Sequence, residues 1–232
     1  MKKYSKKYVE ASSKLDKNTQ YSLTDAVKLV KETSTTKFDS TVEVAIKLNI
    51  DSKKSDQQLR GSLVLPNGTG KTKKVLVIAK GAQATEAKNA GADYVGDVDM
   101  IDKIQAENWF DFDVIVATPE MMPQLGKIGK VLGPKGLMPN PKTGTVTTNV
   151  AKAIEDINGG MVTYKNDTYG NIHTIVGKVS FDAKALEENL SHVVKTIAKA
   201  KPASVKGTFI QNISISSTMG PGIKVDKNSF DI

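Results

Sequence analysis

The sequence predicts a mixed fold in two parts: an α+β domain assembled from both ends of the chain, and an α/β domain inserted between them. Three observations carry this. Apolar and polar residues alternate from Thr41 to Ile50 and again after Gly159-Gly160, as in strands with one buried face. Between these stretches, Val75-Leu76-Val77-Ile78-Ala79 and Val114-Ile115-Val116-Ala117 are unbroken apolar runs, the pattern of strands covered on both faces of a parallel sheet. Turn-forming breaks at Pro66-Asn67-Gly68-Thr69-Gly70 and Gly159-Gly160 separate the two characters. On this reading residues 1–67 and 160–232 form the discontinuous domain and 68–159 the insert, with a double hinge near 66–70 and 158–160. Two sequential domains are the other arrangement the pattern allows.

Each element has a local reason. The lysine-rich stretch from Met1 to Lys17 reads as a mobile arm or marginal helix. A helix is predicted over Thr24–Thr33, with Thr24 as N-cap and Ala26, Val27, Leu29 and Val30 on one face. In the following strand Val42, Val44, Ile46, Leu48 and Ile50 point one way, and Thr41, Glu43, Ala45, Lys47 and Asn49 the other. A second strand spans about Gln58–Leu65. In the insert, Ala82–Asn89 suits a helix ended by Gly91, Tyr94-Val95 a short strand and Asp99–Glu107 a helix. A Gly/Pro/Lys loop is expected from Gly126 to Gly144, then a helix over Asn149–Ile157. Strands at Met161–Lys165 and Ile172–Phe181, a helix over Ala183–Ala200 and a strand over Thr208–Thr218 complete the chain.

Composition narrows the chemistry. The 232 residues contain no cysteine, so disulfides, thiolate metal sites and a cysteine nucleophile are excluded, and a reducing cytoplasm is the expected setting. The N-terminal stretch lacks the apolar core of a signal peptide, and no run approaches membrane-spanning length. A net charge of +8 favours a polyanionic partner, although a solvated lysine-rich surface would carry the same charge. Arg60 is the one arginine, so bidentate recognition of phosphate or guanine rests on it alone.

Enzyme motifs fail on spacing. Gly68-Thr69-Gly70-Lys71-Thr72 ends like a phosphate loop, but Leu65 stands where the first glycine is required, and Lys73-Lys74 leads into a strand rather than a helix. Gly126, Gly129 and Gly133 do not match the dinucleotide fingerprint. The two histidines, His173 and His192, are far apart in the predicted elements, and the neighbours of His192 suggest packing. No catalytic residue, metal or cofactor is expected; a nucleotide-binding α/β enzyme built on the insert is the alternative. Between Glu86 and Glu120 there are nine carboxylates and two lysines, an acidic block suited to solvated helices. The 126–144 loop is the reverse, with Lys127, Lys130, Lys135 and Lys142 interleaved with glycines, which suits a secondary contact with a phosphate backbone.

Along the last strand Phe209, Ile213 and Ile215 share one face, while Ile210, Asn212, Ser214, Ser216 and Thr218 take the other. Ser214, Ser216, Ser217 and Thr218 present hydroxyls suited to ribose and phosphate, beside Met219 and Gly220 where a backbone can approach closely.

Several motifs in order resemble the bacterial ribosomal protein L-one family, the RNA-binding proteins of the large subunit's mobile stalk. They are Lys37-Phe38-Asp39 with Thr41-Val42-Glu43-Val44, Ser55-Asp56-Gln57 with Arg60-Gly61, and Leu65-Pro66 with Gly68-Thr69-Gly70-Lys71. Gly129-Lys130-Val131-Leu132-Gly133-Pro134, Gly136-Leu137-Met138-Pro139-Asn140-Pro141-Lys142, Gly177-Lys178, Ser214-Ile215-Ser216 and Thr218-Met219-Gly220 follow, so the resemblance spans nearly the whole chain. The chain departs from the family pattern at Ala45 and Asn67, where histidine is common, and at Lys53-Lys54, where arginine is frequent.

The resemblance implies a split β-α-β type RNA-binding domain with an inserted Rossmann-like three-layer domain. It implies that Phe38, Thr41 and Glu43 join Thr218, Met219 and Gly220 in one contact surface, with Lys37, Lys47, His173, Lys178 and Ser216 as further candidates. The implied partners are large-subunit ribosomal RNA, exit-site transfer RNA and the protein's own operon messenger RNA. The implied state is a monomer when free, placed on the large subunit in the cytoplasm. Assistance to release of deacylated transfer RNA and repression of the protein's own translation are implied with them.

Overall fold

The computed structural model describes residues 4–16 and 18–230. In chain order the elements are α1 (Lys6–Ser13), α2 (Leu23–Glu32), β1 (Thr41–Leu48), β2 (Arg60–Val64), β3 (Val75–Ile78), α3 (Ala82–Asn89), β4 (Tyr94–Gly96), α4 (Val98–Glu107) and β5 (Val114–Ala117). They continue with α5 (Met122–Lys127), α6 (Gly129–Leu132), α7 (Val150–Asn158), β6 (Met161–Lys165), β7 (Asn171–Lys178), α8 (Ala183–Lys199), β8 (Ile210–Ser217) and β9 (Ile223–Val225). The chain divides into two compact units, one of Met1–Gly70 with Val162–Ile232 and one of Lys71–Met161. The fold is mixed, with an antiparallel sheet in the first unit and a parallel sheet in the second.

The first unit is built on a four-stranded sheet in the order β7-β1-β8-β9. Val42, Val44, Ile46 and Leu48 of β1, with Ile172, Val176, Ile213, Ile215, Ile223 and Val225 of the other three strands, form the inner face. Against them pack Ala26, Val27 and Val30 of α2 and Leu186, Leu190, Val193, Val194 and Ile197 of α8. Each fully buried valine or leucine contributes about 1.5–3 kcal/mol by leaving water, so this layer supplies most of the unit's cohesion. β2 and β6 pair as a separate two-stranded sheet.

The second unit has three layers. Its parallel sheet runs in the order β4-β3-β5. The apolar run of β3 divides by parity: Leu76 and Ile78 face Ile101 and Ile104 of α4 and Leu125 and Leu132 of α5 and α6, while Val75 and Val77 face Ala87 of α3 and Ile154 of α7.

Several expectations need correction. Helix α2 is capped by Ser22, not Thr24: Ser22 Oγ accepts from the Asp25 amide at 3.2 Å and donates to its carboxylate at 2.7 Å. This reciprocal pair opens the helix earlier and lets Leu23 pack against the core. The lysine-rich stretch, read as a mobile arm or a marginal helix, holds the eight-residue α1, capped by Ser5, in keeping with the second of these; residues 1–3 and 17 lie outside those described. The expected loop from Gly126 to Gly144 is helical through Leu132, with a further 3-10 turn at Pro141–Thr143. Helical glycines cost roughly 1 kcal/mol each, but Met121, Leu125, Ile128 and Leu132 recur at helical spacing and are all buried, which outweighs that cost. Strand β9, paired with β8 from Ile213↔Val225 to Ile215↔Ile223, is an addition to the predicted elements.

Ile210 lies on the buried face of β8, not the outer one. Lys47 pairs with Asn212 but Leu48 pairs with Ile210, so Gln211 is an extra residue. This bulge reverses the alternation at the start of the strand.

Candidate nucleic-acid interface

With α2 and α8 packed on the inner face, the outer face of β7-β1-β8 is, among the described residues, half-exposed to exposed. The pairing register places residues in rows across it. Asn171, Lys47 and Asn212 form one row, His173, Ala45 and Ser214 the next, and Ile175, Glu43 and Ser216 a third. Lys224 of β9 extends the middle row beside Ser214. Amides, hydroxyls and short side chains dominate, with the Glu43 carboxylate exposed near the centre. Such a face accepts and donates hydrogen bonds over a broad area, as contact with ribose hydroxyls and base edges requires.

A second bulge shapes this face. Val42 pairs with Gly177 but Glu43 with Ile175, leaving Val176 as the extra residue on β7. Its carbonyl accepts a 2.7 Å hydrogen bond from Nδ2 of Asn189, a fully buried side chain on α8. Asn189 also donates to the Gly68 carbonyl at 3.2 Å and accepts from the Asn67 amide at 3.0 Å. One buried amide therefore holds both the bulge and the Pro66–Gly70 turn. A side chain at Gly177 would press on Leu186 and Phe181, at 2.9 and 3.0 Å.

At one end of the face, the two separated parts of the chain are clamped together. Thr218 and Thr41 are 177 residues apart, yet the Thr218 amide donates to the Thr41 carbonyl at 3.0 Å and the Thr41 amide donates to Thr218 Oγ1 at 3.1 Å. Thr218 Oγ1 in turn donates to the Thr41 carbonyl at 3.3 Å. Here a hydroxyl takes the place of a strand carbonyl because the chain is already turning. The turn closes through the Gly220 amide to the Ser217 carbonyl at 2.8 Å, with Met219 at φ 64°. A left-handed methionine is costly by about 1 kcal/mol, and its side chain is 76% exposed. Gly220 is needed for space: a Cβ there would lie 2.3 Å from Ser217 Oγ.

The facing rim is the Lys37-Phe38-Asp39 segment. Phe38 is 58% exposed and Lys37 is exposed. The Asp39 carboxylate accepts from the Ser180 amide at 3.1 Å and hydroxyl at 2.8 Å, tying the segment to the end of β7. Lys178 Nζ donates to Thr41 Oγ1 at 3.1 Å and to the Asp39 carbonyl at 3.4 Å, so part of its donor capacity serves the rim itself.

At the opposite end, Lys47 Nζ donates to the Tyr169 carbonyl, and His173 Nε2 lies 3.7 Å from the Asp167 carboxylate. Asp167 caps the β6–β7 turn. The Asn171 amide at 2.7 Å, with further hydrogen bonds from the Asn171 side chain and Tyr169 amide and the nearby His173, holds its carboxyl down to about 2.

The structure thus brings Lys37, Phe38, Thr41, Glu43, Lys47, His173, Lys178, Ser216, Thr218, Met219 and Gly220 onto one face and its rims. Asn171, Ile175, Asn212 and Lys224 belong to the same face; Asn212 was legible as an outward position of its predicted strand, whereas Asn171 precedes the predicted start at Ile172 and Lys224 lies on β9, which was not predicted. Tyr169, at the turn, carries no such signal. Lys127, Lys130, Lys135 and Lys142 lie in the other unit, all exposed. They sit on short helices and turns rather than a free loop, and Lys135 Nζ rests 4.2 Å from the Phe110 ring centroid. His192 is exposed rather than packed, because the buried side of α8 is taken by Leu190, Val193 and Val194.

The Gly68–Thr72 stretch opens no helix, since the next element is β3. Among the described residues no group of three or more His, Cys, Asp or Glu could hold a metal, and no helix is long and apolar enough to cross a membrane. The family model described as "Ribosomal protein L1p/L10e family" matches residues 30–221, from the end of α2 to just before β9.

Proposed function

Taking as premise that the chain belongs to the ribosomal protein L1p/L10e family, and so is an RNA-binding structural constituent of the large ribosomal subunit, we propose that the open face of the first unit holds the ribosomal RNA of the mobile stalk. The observation that carries this reading is the clamp between Thr41 and Thr218, which joins the Phe38 rim and the Met219 turn into one surface. Phe38 and Met219 offer apolar contact to unstacked bases or ribose. Ser216 and Glu43 face the 2′-hydroxyls and exocyclic amines, and Lys37, Lys47, Lys178 and His173 border the phosphates. Specificity comes from the shape of a folded RNA, because the bulged sheet face is suited to ribose hydroxyls and splayed-out bases rather than to the groove of a regular duplex.

The finer activities are proposals of the same reading. The protein assists release of deacylated transfer RNA from the exit site, and represses translation of its own operon by binding a messenger RNA structure similar to the stalk. The glycine-bearing crossings near 66–70 and 158–160 serve as a double hinge between an RNA-anchored domain of 1–67 with 160–232 and the insert of 68–159. Positive φ at Gly68, Gly70 and Gly160 supports a backbone shaped for sharp changes of direction there. The free protein acts as a monomer, and Lys127, Lys130, Lys135 and Lys142 make a secondary backbone contact.

Footprinting the protein on large-subunit ribosomal RNA tests the main proposal: protection of one compact stalk structure is the expected result, and protection scattered over unrelated helices would overturn it. Repression is tested by competition, with the operon leader expected to displace stalk RNA and a scrambled leader not. Equal displacement by both would remove that part.

A further inference from the structure

We infer that Tyr4, just before α1, and Tyr8 in its first turn form a second nucleobase platform, which extends the RNA surface beyond the Phe38 and Met219 rim. The inference rests on the RNA-binding reading above and deepens it. Tyr4, Tyr8, Phe38 and Met219 line one groove of about 480 Å3 together with Lys7 and Lys37. Tyr4 and Tyr8 stack on each other, with ring centroids 4.9 Å apart and planes 21° from parallel. Tyr4 is 69% exposed, so the pair presents a flat aromatic surface to solvent rather than filling a core. Exposed apolar side chains gathered in one place mark a binding surface, whereas scattered ones do not.

The chemistry of the lining selects the occupant. Among the described residues no carboxylate lines the groove, and its charged groups are the two lysines. Aromatic faces flanked by cations fit an unpaired base stacked on a ring with its phosphate at an ammonium. The groove is continuous with the proposed RNA surface, since Phe38 and Met219 belong to both. Its position also follows from the fold: Ser5 Oγ accepts from the Tyr8 amide and caps α1, and Tyr4, just before that cap, stacks back on Tyr8 in the first turn. The groove size is in the range of small-ligand sites, which suits one splayed-out nucleoside.

The test uses the full chain and a stalk fragment of large-subunit ribosomal RNA whose unpaired nucleotides are replaced, one at a time, by abasic sites. One such replacement is expected to weaken wild-type binding about tenfold. Tyr4→Leu with Tyr8→Leu is expected to weaken binding to the intact fragment by a similar factor and to be insensitive to that same abasic site. Tyr4→Phe with Tyr8→Phe, which keeps the ring faces, is expected to bind as wild type. Thermal melting of each variant confirms that it is folded.

Wild-type affinity in the leucine variant would overturn the platform; if Phe38→Ala still weakened binding in parallel, the sheet-face reading would stand without it. Insensitivity of both would overturn the two together. Wild-type RNA affinity of the leucine variant with impaired incorporation into large subunits would assign the groove to a protein neighbour and overturn the inference.

Discussion

Replacing Thr218 by valine keeps the shape of the side chain and removes one hydroxyl, and the structure says what that hydroxyl holds. The Thr218 carbonyl does not stand opposite the Thr41 amide; Oγ1 does, at 3.1 Å. Valine leaves that amide without its partner. The Thr41 carbonyl keeps the Thr218 amide at 3.0 Å, so the loss falls on one donor. An unsatisfied buried donor costs about 1–3 kcal/mol, and since Thr41 and Thr218 are both half-buried the lower end applies, about 1 kcal/mol. In a chain of this size that lowers the melting temperature by about 2–4 °C. RNA affinity falls by no more than the cost of re-forming the clamp, about fivefold. The assay is guanidinium unfolding of Thr218→Val and Thr218→Ser without RNA, followed by titration with stalk RNA. The serine variant should recover both quantities. If valine left stability untouched and still lowered affinity tenfold or more, the hydroxyl would belong to the RNA contact and not to the clamp.

Gly220→Ala should destabilise by about 1–2 kcal/mol through the 2.3 Å approach to Ser217 Oγ. Ser217 Oγ is buried without a hydrogen-bond partner among the described residues, so Ser217→Ala should cost little and should rescue most of the Gly220→Ala loss in thermal melts; simply additive effects would contradict the geometry. Asn189→Leu strips partners from the Val176 and Gly68 carbonyls and the Asn67 amide, and urea unfolding should register a loss of roughly 2–4 kcal/mol. A loss below about 1 kcal/mol would mean the bulge is held by something else. The Asp167 carboxyl, ordinarily near 3.8, is depressed to about 2, so its stabilisation of the β6–β7 turn is fully present above about pH 4 and is lost as pH falls through about 2. A carboxyl carbon titration by NMR with a midpoint near the ordinary value would refute that arrangement.

Much of the fold was written in residue periodicity. The alternation of β1 set its buried face, and the unbroken runs at 75–78 and 114–117 set strands covered on both sides. What escaped depended on partners distant in sequence. The bulges at Val176 and Gln211 are settled by register against β1, and no local pattern in β7 or β8 records them. The glycines at 126, 129 and 133 read as a loop because their intrinsic cost was weighed without the buried Leu125, Ile128 and Leu132 beside them.

At the site, strand parity found the outward residues, but it could not assign their tasks. Thr218 looked like a free hydroxyl and is occupied by Thr41, and Lys178 spends hydrogen bonds on the rim. Tyr4 and Tyr8 carried no signal at all, because their meaning lies in sharing a groove with Phe38 and Met219.

The most direct test of the account is oxidative footprinting of the intact protein with and without stalk ribosomal RNA. Met219 and Phe38 are both reactive and largely exposed in the free chain. The account predicts that RNA lowers the oxidation of both, together with His173, and leaves Met100 on α4 of the second unit unchanged. Loss of reactivity confined to the 71–161 unit, with Met219 and Phe38 still fully labelled, would contradict it.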